Sequence, residues 1–74
     1  MSAAPASVPA WTQAGGEPVS CREKLRTLAE NHAELAQVMQ DAFEDAILMG
    51  VAEPAMRAIL ADMVAGLRSP RRPG

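Results

Sequence analysis

Few residues in this chain can do chemistry. Its 74 residues include one cysteine, one histidine, no tyrosine and two aromatic rings, Trp11 and Phe43. A single thiol excludes an intramolecular disulfide and a zinc cluster built from thiolates, and a reducing compartment is the simple fit. The Gly-rich phosphate loop, the Ser/His/Asp set and the nucleotide fingerprint are all missing. Metal chemistry is no better served. Neither Glu30 nor Glu34 stands at the Glu-x-x-His spacing from His32 that a bundle di-iron site needs. Asp41, Glu44 and Asp45 lack the alternating acids and the glycine of a calcium loop. Met39, Met49, Met56 and Met63 are never three or four residues apart, so no two pair as soft ligands on one helix. They read as adaptable packing. A metal- or thiol-dependent enzyme is therefore the least favoured class, and no cofactor is expected. Cys21 is expected to have a lowered pKa from a helix dipole with Arg22 and Lys24 beside it, but no histidine lies near it in sequence to act as a base.

Long apolar runs are missing as well. None approaches the roughly 20 residues that span a bilayer, and the N-terminus has no basic stretch leading into an apolar one. A soluble cytoplasmic protein is the expectation. Bases are absent from the middle of the chain. Residues 30–53 hold six acids (Glu30, Glu34, Asp41, Glu44, Asp45 and Glu53) and no Lys or Arg, within a formal net charge of −2 for the whole chain. Such a stretch repels phosphate, so no nucleic-acid partner is expected. It reads as a solvated helix face, with docking of a basic partner as the sharper alternative.

What the chain does contain is one strong helical period. Leu25, Leu28, Ala29, His32, Leu35, Ala36, Met39, Ala42, Phe43, Ala46 and Ile47 recur at steps of three and four, which places them on a single stripe. Ser20 followed by Glu23 is a capping-box pattern, and Gly50 supplies a stop. The pattern predicts a helix over about 20–49, about 29 residues or roughly 43 Å. Arg22, Lys24 and Arg26 sit badly with the dipole at its start, unless they meet acids of a neighbouring helix. Pro54 suits the first turn of a second helix over about 53–67, with Met56, Ile59, Leu60, Met63, Val64 and Leu67 on one side.

Residues 1–19 read as a flexible Ala/Pro/Gly-rich tail, in which Trp11 either packs back or anchors a short motif. Residues 68–74 read as a basic tail whose arginines complement the negative end of the second helix.

The expected fold is all-α: a two-helix antiparallel hairpin that completes a four-helix bundle by dimerisation, with a disordered N-terminal tail. A core this small is marginal alone. The second helix is half as long as the first and is expected to reach back to Leu35 or Met39. The rest of the stripe, Leu25, Leu28, His32 and Leu35, is then left without a lid, and such a patch marks an interface. The expected function is a non-enzymatic protein–protein interaction module, with Leu25, Leu28, His32, Leu35, Met39, Phe43 and Trp11 as partner-binding residues. The partner is a second copy. The alternative is a co-chaperone or docking element whose stripe meets a groove or helix of a larger protein.

Overall fold

A computed structural model describes residues 9–71. The parts of the two tail assignments that fall on residues 1–8 and 72–74 lie outside the described residues. The chain is all-helical, with α1 over Arg22–Leu48 and α2 over Glu53–Ala65. It divides into two units, Met1–Gln37 and Val38–Gly74, and the 27 residues of α1 run from one into the other.

In the first unit, residues 11–19 form a hydrogen-bonded reversal. Thr12 bridges Pro18, the Val19 N–H donates to the Trp11 carbonyl at 2.9 Å, and the Gln13 N–H donates to the Glu17 carbonyl at 2.7 Å. Glycine makes the reversal possible, because Gly16 adopts φ +96°, where a side chain is strained. The composition that suggests chain freedom also suits a tight turn.

The entry to α1 differs from the capping-box reading. The helix begins at Arg22, which makes Cys21 the residue before it, and the backbone N–H groups of Lys24 and Glu23 donate toward the Cys21 thiol. A sulfur one residue further along has taken the place expected for the Ser20 hydroxyl.

The second unit holds the hairpin. Gly50, at φ +101°, donates to the Ile47 carbonyl at 3.0 Å, and the Val51 N–H donates to the Ala46 carbonyl at 2.9 Å. These are the two bonds of a Schellman motif, and they satisfy carbonyls that the helix end would leave bare. A Cβ at Gly50 would meet nothing within 4 Å, so the whole cost of a side chain there is backbone strain. Gly50→Ala is expected to cost about 1–2 kcal/mol for that reason, read as a lower midpoint in thermal unfolding. An unchanged midpoint would show that the turn relaxes into another conformation.

Pro54 sits in the first turn of α2, where its missing N–H leaves no helical bond unmade. The packing between the helices is short. Phe43, Ala46 and Ile47 of α1 are half-buried, as are Met56 and Leu60 of α2, and the Arg57 guanidinium lies 4.9 Å from the Phe43 ring centroid. In this unit no residue before Phe43 reaches half-burial, and Met39 remains 37% exposed. Half-burial thus ends one turn short of Met39 and two turns short of Leu35, the two positions to which the second helix was expected to reach. The residues of α2 that pack are confined to its first two turns, which limits their reach.

The C-terminus of α2 is closed by Gly66, whose N–H donates to Asp62 and Met63 carbonyls. The helix therefore stops at Ala65, and its last turn contains no base. Arg68 and Arg71 stand beyond the turn over which the dipole acts, so they do little for the helix end.

Candidate functional site

Of the seven residues assigned to partner binding, five belong to the first unit. Trp11 stands edge-on to His32, with ring centroids 6.0 Å apart and planes at 80°. That is the arrangement in which a ring edge meets a ring face. Leu25, Leu28 and His32 follow one another at i, i+3 and i+7, so they share a face of α1, and all three are half-buried along with Pro9, Trp11 and Val19. Trp11 is packed back on its own chain. Leu35, one turn beyond His32, is 60% exposed. The sequence reading left Leu25, Leu28, His32 and Leu35 together without a lid; of these four, only Leu35 is exposed. Trp11 meets His32 on this face, a contact that no local pattern announced.

The other two, Met39 and Phe43, belong to the second unit. Phe43 packs under Arg57, which also approaches Glu53 at 3.9 Å in an open i,i+4 pair. That pair is well solvated and contributes little. Arg57 was assigned no role from the sequence. Its spacing from Glu53 is visible there, but its position over Phe43 depends on how the helices cross.

The same unit leaves much apolar surface in water. Ile59, Met63, Val64 and Leu67 are exposed, Met63 by 63% and Leu67 by 77%, together with Leu48 and Met49 at the end of α1. No described residue of the chain is buried. An ordered chain with no buried side chain has little of the apolar burial that dominates stability in proteins of this kind.

The electrostatics offer one reactive group. Hydrogen bonds from the Lys24 and Glu23 backbone N–H groups hold the exposed Cys21 thiol below its ordinary pKa, with a smaller contribution from the Lys24 charge. The thiolate is the nucleophile, so its fraction rises at lower pH than in free cysteine. Alkylation of Cys21 by iodoacetamide is expected to reach half its maximal rate at a lower pH than for a free cysteine peptide. A profile that overlays the peptide's would mean the thiol does not accept those bonds in solution. No group of three or more His, Cys, Asp or Glu among the described residues is placed to hold a metal ion. No helix among them is long and apolar enough to cross a membrane. Arg22, Lys24 and Arg26 form no ion pair among the described residues. Compared with protein-family models, with curated proteins and with solved structures, the chain matches none.

Proposed function

We propose that this chain is a small non-enzymatic protein–protein interaction module, an adaptor, accessory subunit or regulator of the cytoplasm. It acts by pairing exposed apolar helix surface with a second copy of itself, and two hairpins paired in this way make a four-helix bundle. One observation carries the reading. None of the described residues is buried, while Leu35, Val38, Ile59, Met63, Val64 and Leu67 stand in water. Apolar side chains left in water within each unit are candidates for an interaction site, and a second copy brings matching surfaces without any other component.

The acid-only stretch over residues 30–53 favours a second reading, in which a basic amphipathic helix of a larger protein docks on the chain. Light scattering coupled to size exclusion, across micromolar to millimolar concentrations, separates the two. A mass that doubles with concentration supports pairing between copies. A poorly folded monomer at every concentration favours the foreign partner, and a well-folded monomer that binds nothing would sink both.

A further inference from the structure

The second unit has one side on which both helices are apolar. At about 100° per residue, Val38, Met39, Ala42 and Met49 share a flank of α1, a quarter-turn round the helix from Phe43. Ala55, Ile59 and Met63 share a flank of α2, beside the Met56 and Leu60 that pack on α1. The helices are antiparallel, so their senses of rotation are opposed and the two flanks lie on the same side of the hairpin. Arg57, two residues from Ile59, is turned to the other side, where it covers Phe43. Val38, Met39, Met49, Ile59 and Met63 are all exposed.

The outer edges of this side are acidic. Asp45 stands one turn from Met49, and Asp62 one turn from Ile59. Both are exposed, and neither makes an ion pair among the described residues. The bases of the unit stand off this side, Arg57 on the opposite one and Arg68 and Arg71 past the end of α2.

We propose that this side of the hairpin docks a basic amphipathic helix of another protein. The apolar stripe of that helix lies along Met39, Met49, Ile59 and Met63, and its flanking Lys or Arg side chains reach Asp45 and Asp62. This rests on the second reading above and gives the partner helix a place on the chain. Methionine suits such a surface, because its unbranched thioether re-packs around apolar side chains of different shape. A second copy is the poorer occupant here, since it brings Asp45 and Asp62 of its own and no base. Pairing between copies keeps Leu35 in the first unit and Val64 on the other flank of α2.

The probe is a fluorescein-labelled amphipathic peptide of about 18 Leu and Lys residues, long enough to be helical when bound. A Leu/Glu peptide of the same pattern is its control. In anisotropy titrations with the full chain at low salt, the Leu/Lys peptide is expected to bind at least about tenfold more tightly than the control. Asp45→Asn with Asp62→Asn is expected to weaken it about threefold to tenfold, a difference that high salt removes. Ile59→Ser with Met63→Ser is expected to weaken it about tenfold. Ile59 is 49% exposed and Met63 more so, so helix content by dichroism should hold. Leu48→Ser, on the far side of α1, should leave binding unchanged. A peptide that binds the parent and both double variants alike, or that Leu48→Ser weakens as much as they do, overturns this face and leaves docking elsewhere on the chain standing. A parent that prefers neither peptide overturns the docking reading as well.

Discussion

Leu35→Asp is expected to abolish self-association while leaving the isolated chain folded. Leu35 is 60% exposed in the single copy, so an aspartate there costs the monomer little beyond its poorer helix propensity, about 0.5 kcal/mol. In a symmetric pair the same change removes two apolar side chains from the interface and places two carboxylates against apolar surface. The combined loss is about 4 kcal/mol, or a thousandfold in the dimerisation constant. The two effects are separable because they fall on different states. Sedimentation gives the association constant and far-UV dichroism gives the helix content. A variant that keeps both the mass and the helicity of the parent would remove Leu35 from any interface, and a variant that unfolds as a monomer would show that Leu35 is needed within the single chain.

Phe43→Ala is expected to release α2. Phe43 is the largest half-buried side chain between the two helices of the hairpin and carries the Arg57 guanidinium on its ring. Full burial of a phenylalanine is worth about 3–5 kcal/mol on truncation, so a half-buried one is worth about 2 kcal/mol. The cation–π contact, solvated as it is, accounts for about 0.5–1 kcal/mol of that. α2 has only 13 residues, a length at which an isolated helix is marginal in water. Its helicity therefore depends on this contact. With 27 residues in α1 and 13 in α2, melting α2 alone removes about a third of the helical signal. Arg57→Ala, which leaves the ring in place, should remove far less. Equal losses in the two variants would mean that the ring itself contributes little.

The parts of the fold that depend on neighbouring residues were legible without a structure. The three-and-four spacing from Leu25 to Ile47 determines one long helix. Gly50 determines its end, because only glycine takes φ +101° at low cost, and Pro54 determines where the next helix starts. Each is a matter of backbone geometry over four or five residues. The choice of Cys21 over Ser20 beside the first turn was harder to read, because a shift of one residue decides which side chain faces the free N–H groups.

What covers the stripe was decided only by the tertiary structure. Trp11 and His32 are 21 positions apart, and an edge-on ring contact between them leaves no mark in local spacing. The end of half-burial at Phe43 likewise depends on where Arg57 lands as the helices cross. Apolar packing is nearly non-directional, so a periodic pattern shows which face of a helix seeks cover without naming the segment that supplies it. For this chain that difference separates a bare stripe from one on which Trp11 stands against His32.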